Sequence, residues 1–433
     1  MNIWQKEHTN LSEAVKAFTV GRDREFDIML AKYDVQGSIA HITMLEAVGL
    51  LPSPEFLLLK AELEKILNDI AAGSFTMMDE AEDIHSQIEF MLTAKLGDAG
   101  KKIHSGRSRN DQIAVDIKLC LRNEIQELKQ SVMALFTQLQ QLSEQHKEKL
   151  LPGYTHFQLA MPSSFGLWFG AYAESLIDDM NLLVAAWKIT DKNPLGSGAG
   201  YGSSFPLNRK MTTQLLNFSE MHYNSVYAQM SRGKTERFLA MALSSIAATL
   251  SRFSTDVCIY INQQFGFISF PDALTTGSSI MPHKKNPDVF ELVRARCNRI
   301  QAIPNELTLL INNLPSGYHR DLQLTKEILF PAIEELKGCL QIVMLMLQNI
   351  TVKENLFNDP QYKYLFTVER INNLVTAEIP FRDAYLQVSK EVESGTFNYT
   401  AGLHHTHEGS IGNLCTSEIK KMMNNALKGF ATD

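Results

Sequence analysis

From Ile125 onward, apolar residues recur at alternating intervals of three and four: Ile125, Leu128, Val132, Leu135, Leu139 and Leu142. That spacing lays one apolar stripe along a long α-helix whose other side is rich in Gln, Glu and Lys, long enough for a bundle or coiled coil. A second long helix is predicted over about 235–260, with Phe238, Met241, Ala242, Ile246, Leu250, Phe253 and Val257 on its buried face. A third starts after Pro287 and runs past Val293 and Ile300, with Pro304 bending or interrupting it. A fourth spans about 326–350, with Pro331 near its first turn or at a kink. Further on, Pro380-Phe381-Arg382-Asp383 opens another helix. β-Branched alternation is scarce, so no substantial sheet is expected. Long helices with one wide apolar stripe bury it against one another. The expected fold is all-α: a central long-helix bundle over 104–350, flanked by smaller helical domains over 1–103 and 351–433. Helices this long leave apolar surface to spare, which predicts association of several chains through the bundle.

Composition narrows the function. The chain has 433 residues, 45% hydrophobic and 21% charged, which suits a globular protein with a large core. Its strictly apolar runs are short, such as Ile342 to Leu347, so no membrane span is expected. The opening residues, Met1-Asn2-Ile3-Trp4-Gln5-Lys6-Glu7-His8, show no apolar signal region, and the expected location is cytoplasmic. Cys120, Cys258, Cys297, Cys339 and Cys415 lie far apart without a CxxC pair, as free buried thiols would. A net charge of −7 and a pI near 6.0 argue against a general nucleic-acid binder. They leave room for an anionic small substrate, which responds to locally clustered Arg and Lys.

Four separated segments are polar where a purely structural helix would not be. In Gly277–Asp288, a glycine, two serines, two lysines and an asparagine are interrupted by Pro282 and Pro287, which makes a polar, cationic loop. In His104–Gln112, Arg107, Arg109, Ser108 and Asn110 precede the long helix. A helix cap explains one or two of them; Arg forks and a helix N-terminus suit carboxylates. In Gly153–Pro162, Thr155, His156 and Gln158 fall in a turn between two helical stretches, and a histidine there can exchange a proton near neutral pH. In Tyr318–Glu327, a phenol, amide and cations suit a ligand with carboxylate and cationic ends.

Together these segments resemble the fumarase/aspartase superfamily, and within it the argininosuccinate lyases, over nearly the whole chain. The loop at 277–288 and the Thr-His-Gln region carry the superfamily likeness. Asp34–Ser38, Asp83-Ile84-His85, His104–Gln112, Asp191–Gly198 and Tyr318–Glu327 carry the narrower one. The resemblance implies a homotetramer whose active sites combine segments from several subunits. It also implies cleavage of argininosuccinate to arginine and fumarate, in arginine biosynthesis, by β-elimination without a cofactor. It makes Ser278 the base, stabilised as an alkoxide by Lys284 and backbone amides, and His156 the acid, with Glu291 orienting a histidine. Ser108, Arg109, Asn110, Thr155 and Asn286 would hold the fumarate-side carboxylates. Asp27, Tyr318, Gln323 and Lys326 would contact the arginine side. This chain departs from the family pattern at Leu159 and Met161, where arginine and glutamine are usual, at His283 in place of glutamine, at Asp23 in place of serine, and around 231–237. These departures touch the leaving amine more than the elimination. They keep two alternatives in view: a sibling lyase for another N-substituted succinate such as adenylosuccinate, and a non-catalytic protein on the same scaffold.

Three other features receive no catalytic role. His404, His405 and His407 lie close together but lack a remote Cys or acidic partner, so no metal is assigned. Gly196–Gly202 is glycine-rich without a βαβ context; a flexible loop closing over or beside the site is expected instead of a dinucleotide site. Asp83, His85 and Glu89 stand at helical spacing, and a structural or supporting role is expected for His85.

Overall fold

The computed structural model describes residues 12–78 and 81–430, so the opening residues Met1–His8 lie outside it. The first helices are α1 (Glu13–Val20), α2 (Asp23–Ala47), α3 (Ser53–Ala71), α4 (Ile84–Leu96) and α5 (Asp98–Lys101). The bundle follows with α6 (Arg109–Gln145), α7 (Phe165–Thr190), α8 (Arg209–Leu215), α9 (Ser225–Met230), α10 (Lys234–Tyr260), α11 (Asp288–Ile300), α12 (Ile303–Ile311) and α13 (Thr325–Leu347). Helices α14 (Thr367–Thr376), α15 (Phe381–Glu393) and α16 (Thr416–Leu427) complete the described chain. Among the described residues, strands occur only as short pairs: β1 (Leu150–Thr155) with β2 (Gln158–Ser164), β3 (Lys192–Asn193) with β4 (Glu220–Met221), β5 (Ile268–Ser269) with β8 (Thr351–Val352), and β6 (Thr276–Gly277) with β7 (Lys285–Asn286). The fold is all-α, as the apolar periodicity predicts.

Helix α6 has 37 residues and is about 55 Å long at 1.5 Å rise per residue. Its start is set locally. The Ser108 N–H donates to Asp111 Oδ1 (2.8 Å) and Ser108 Oγ accepts from the Asn110 N–H (3.2 Å), which makes a capping box. The stripe Ile125, Leu128, Val132, Leu135, Leu139 and Leu142 is buried throughout, with no member above 5% exposure. It packs on α7 and α13, while α10 packs on α7 and α11. On α10 the buried face is rotated from the expected one. Ala242, Ile246, Leu250, Phe253 and Val257 are inside, but Met241 is exposed and Phe238 half-exposed; Leu239, Leu243 and Ala247 take their places. Pro304 is the second residue of α12, just past the break at Gln301–Ala302. Pro331 falls in the second turn of α13, where it has no N–H for the Glu327 carbonyl.

Between α6 and α7 the chain turns through the β1–β2 hairpin. Helix α7 then approaches the end of α6 closely at Gly166, where a Cβ would lie 2.7 Å from Lys147 Cα and 2.8 Å from the Ser143 carbonyl oxygen. A second apolar cluster joins α2, α3 and α4 through Val35, Ile42, Leu59, Leu63, Ile88 and Leu92. A third joins α14 and α15 through Ile371, Leu374, Ala384 and Val388. Cys120, Cys297 and Cys339 are free and buried, whereas Cys258 and Cys415 are free but only half-buried, a correction to the expectation for all five. Among the described residues, no helix is long and apolar enough to cross a membrane.

Candidate active site

The N-terminal ends of several helices meet around one cavity of about 190 Å³. Asp23 and Asp27 come from the start of α2, Asp83 and His85 from α4, Arg109 and Asn110 from α6, Arg232 from just ahead of α10, and Lys326 from α13. Tyr318, Arg320 and Gln323 from the approach to α13, with Glu82, complete the polar wall. Helix N-termini carry partial positive charge and uncommitted N–H groups, so their convergence favours an anionic ligand. The expected residues Asp27, Arg109, Asn110, Tyr318, Gln323 and Lys326 are thereby brought together from segments almost 300 positions apart.

Charges in this cavity are paired with care. Lys326 Nζ lies 2.5 Å from Asp23 Oδ1 and 2.5 Å from Asp27 Oδ1. Arg109 Nη1 lies 3.1 Å from Asp83 Oδ2, and its Nη2 donates to Ser86 Oγ. Arg320 Nη2 donates to the Thr19 carbonyl (2.9 Å) and to Glu82 (3.3 Å). Gln323 Nε2 donates to the Thr19 and Val20 carbonyls, both at 3.1 Å. Behind the wall, His85 Nδ1 is hydrogen-bonded to Asp34, which also accepts from Gln112 Nε2 at 2.8 Å. Burial pushes His85 down, but Asp34, Asp83 and Asp27 outweigh it and hold the imidazolium above its usual range. Burial and then Asp34 push Asp116 well above the usual carboxylate range. Asp34, His85 and Asp116 are close enough to share a cation. The His85–Asp34 bond already commits the ligating nitrogen, in line with the supporting role expected of His85.

Asp23 gives the site a pH signature. Burial, and then the Asp27 carboxylate, push its carboxyl up to about 6 against the pull of Lys326. Such a group binds a proton in the folded protein that the unfolded chain has released. Its contribution therefore favours folding on the acid side and is lost as pH rises through about 6. Asp23→Asn is expected to gain stability relative to wild type as pH is raised across the window from 3.8 to about 6. Urea midpoints of both proteins across that window check it; a difference that does not change with pH contradicts it.

The remaining expected residues lie elsewhere. Ser108 caps α6 beside the cavity. Thr155 and His156 are exposed at the tip of the β1–β2 hairpin, where His156 and Phe157 have φ of 53° and 57°. Both central residues of a two-residue hairpin turn are then left-handed, as a type I′ turn requires. Ser278 and Lys284 bound the loop between β6 and β7, and Asn286 is half-buried in β7. The Met281 and Ile280 N–H groups donate to Ser278 Oγ at 3.1 and 3.4 Å. Glu291 is exposed in the first turn of α11. None of these lines the cavity. The hairpin rests on the turn beyond α10 through Tyr154 and Phe265, whose ring centroids are 5.5 Å apart. The loop touches the same turn, where Gln263 Nε2 donates to the His283 carbonyl at 3.4 Å. The cavity sits at the opposite end of α10, whose 27 residues span roughly 40 Å. Within one chain the two groups of residues stay apart.

Two expectations change here. Gly196–Gly202 is not a free lid: the Gly196 and Gly198 N–H groups donate to the buried Asp111 carboxylate at 2.9 and 3.0 Å. Its left-handed glycines wrap the backbone around that anion. Near the C-terminus, His405 Nε2 pairs with Glu369 at 2.9 Å, tying its segment to α14. The sequence reading gave Arg232 and Glu82 no role, although both line the cavity.

The family model described as "Lyase" matches residues 9–302. Among solved structures, a variant of EDDS lyase with bound fumarate superposes with a TM-score of 0.74 at 19% identity, covering 95% of this chain and 90% of that one. A class II fumarase from Schistosoma mansoni gives 0.73 at 15% identity, covering 88% of each chain. These establish the class as a fumarase-like all-α lyase fold. The argininosuccinate lyase of Phocaeicola vulgatus is 56% identical over 428 residues, 99% of this chain and 96% of that protein. The argininosuccinate lyase of Thermotoga neapolitana is 39% identical over 389 residues, 90% of this chain and 98% of that protein. The chain belongs to the argininosuccinate lyase family.

Proposed function

We propose that this chain splits argininosuccinate reversibly into arginine and fumarate, and serves arginine biosynthesis in the cytoplasm. The observation that carries the reading is the cavity, where acidic and cationic side chains stand together at converging helix N-termini. Such a site suits a substrate with an amino-acid end and several carboxylates. In the proposed reaction, Ser278 as alkoxide takes the proton from the carbon next to a succinyl carboxylate. The Met281 and Ile280 N–H groups already directed at its oxygen, together with Lys284, favour the charged form. Negative charge then spreads into the carboxylate, held by Ser108, Arg109, Asn110, Thr155 and Asn286. His156 protonates the departing guanidinium nitrogen, with Glu291 orienting a histidine. Asp27, Tyr318, Gln323 and Lys326 hold the arginine end.

In this reading the protein is a homotetramer, and neighbouring chains bring their loop and hairpin ends to each cavity. The roughly 40 Å between the two ends of α10 supports that arrangement, since one chain alone cannot close the distance. Division into 1–103, 104–350 and 351–433 is part of the same proposal, supported by the separate apolar clusters at the two ends of the chain.

The test is ultraviolet absorbance of released fumarate with purified protein and a panel of succinyl compounds. Argininosuccinate is expected to give fumarate. No release from it, with rapid release from adenylosuccinate or another N-substituted succinate, overturns the substrate; no release from any supports a non-catalytic scaffold.

A further inference from the structure

Away from the cavity, the packed helices α11 and α13 each carry a buried cysteine. Cys297 lies on the buried side of α11 with Phe290, Val293 and Ile300, and Cys339 on the buried side of α13 with Leu336, Leu340 and Val343. Both thiols are inside, at 0% and 1% exposure. Ion pairs set the register between the helices. Arg296 Nε and Arg299 Nη1, which flank Cys297 in the chain, reach Glu335 Oε1 at 3.9 and 3.7 Å, and Glu335 stands one turn before Cys339. The two thiols share a hydrogen bond, which pushes Cys297 up and holds Cys339 below the ordinary thiol range. Two adjoining thiols, one easier to ionise than the other, suit a sequence in which one sulfur is oxidised and the second resolves it. A route for a small oxidant lies alongside. A hollow of about 710 Å³ runs between α11, α12 and α13, and its wall includes Ile300 and Glu335, each one turn from a cysteine.

We propose that Cys297 and Cys339 form a redox modification site, which a small hydroperoxide converts into a disulfide joining α11 to α13. The Cys339 thiolate attacks one peroxide oxygen, the O–O bond breaks, and Cys339 becomes a sulfenic acid while hydroxide leaves. That hydroxide takes the Cys297 proton and becomes water. The Cys297 thiolate then attacks the Cys339 sulfur, the S–S bond forms, and the departing hydroxide takes up the proton that Cys339 first released. Two thiols thus lose two electrons and two protons, and hydrogen peroxide is reduced to two waters. The bond fixes α11, which follows the loop carrying Ser278, against α13, whose first turn carries Lys326. It also closes a long loop of chain, which stabilises the fold.

The test treats the native, full-length protein with hydrogen peroxide, alkylates the remaining thiols in denaturant, and maps the cysteine peptides by mass spectrometry. A linked Cys297–Cys339 peptide is expected, lighter by about 2 Da than the two thiol peptides together. The oxidised protein is expected to melt several degrees higher than the reduced one, and dithiothreitol to reverse both changes in wild type. Oxidised glutathione, too bulky for the helix interface, is expected to leave the pair reduced. In Cys297→Ser, the melting shift is expected to vanish and Cys339 to stop at the sulfenic acid, trapped by dimedone. Peroxide that leaves both residues as thiols overturns the inference, and so does conversion of either to a sulfinic acid without a linked peptide. Oxidised glutathione forming the bond as readily as peroxide overturns the assignment of a small hydroperoxide as the oxidant. The wild-type mass and melting readouts stand even if the variant folds poorly.

Discussion

Ser278→Ala lowers turnover by roughly 10²- to 10⁴-fold, the range that a positioned acid or base contributes, and leaves the fold intact. The side chain lies on an outer loop between two-residue strands, where substitutions usually shift stability by less than about 0.5 kcal/mol. What is lost is the oxygen toward which the Met281 and Ile280 N–H groups are already directed. A serine hydroxyl is a weak base, and donors aimed at its oxygen stabilise the alkoxide that takes the proton. Argininosuccinate binding, measured by calorimetry, is expected to persist, because the cavity that holds the arginine end is built without Ser278. A variant with turnover within tenfold of wild type contradicts the assignment.

His156→Asn is expected to cost a similar roughly 10²- to 10⁴-fold in turnover. This substitution separates chemistry from folding unusually well. His156 holds a left-handed backbone at φ 53°, followed by Phe157 at 57°. Asparagine adopts that region more readily than most residues and is favoured in type I′ turns. The variant should therefore melt at or above the wild-type temperature while losing the imidazole that carries the proton. Thermal melting and steady-state fumarate release on the same preparation check both halves. Lost turnover with a lowered melting temperature would point to a damaged hairpin instead.

Much of the bundle can be read from periodicity, because α6 and α13 bury one side and expose the other. Helix α7 escapes the same reading: Trp168, Phe169, Tyr172, Leu176, Ile177 and Met180 are buried on one side, but Ala171, Leu182 and Ala185 are exposed on the other, so the apolar stripe does not stand out in the sequence. Helix α2 escapes for the opposite reason, since Asp34, Ser38 and His41 occupy its buried side and blur the apolar pattern. The cavity residues are legible where polarity exceeds what a helix cap needs, as at Arg109–Asn110 and Tyr318–Lys326. Arg232 is not, because only the tertiary fold brings it to the cavity wall, where its Nη2 donates to a carbonyl 90 positions later in the chain. Glycine density at Gly196–Gly202 suggests motion, yet those glycines serve a fixed carboxylate, Asp111. Local composition reports what a segment can do, and only tertiary contacts decide which of its options is used.

The account depends on residues at opposite ends of α10 meeting in an assembled particle. The most direct test co-assembles Arg109→Ala chains with Ser278→Ala chains after each has been shown to be inactive alone. Mixed oligomers, verified with differently tagged chains, should regain up to about a quarter of wild-type turnover, the statistical share of sites that draw an intact Arg109 and an intact Ser278 from two different protomers. If verified mixed oligomers stay as inactive as their parents, the two residues do not act in one shared site and the account fails.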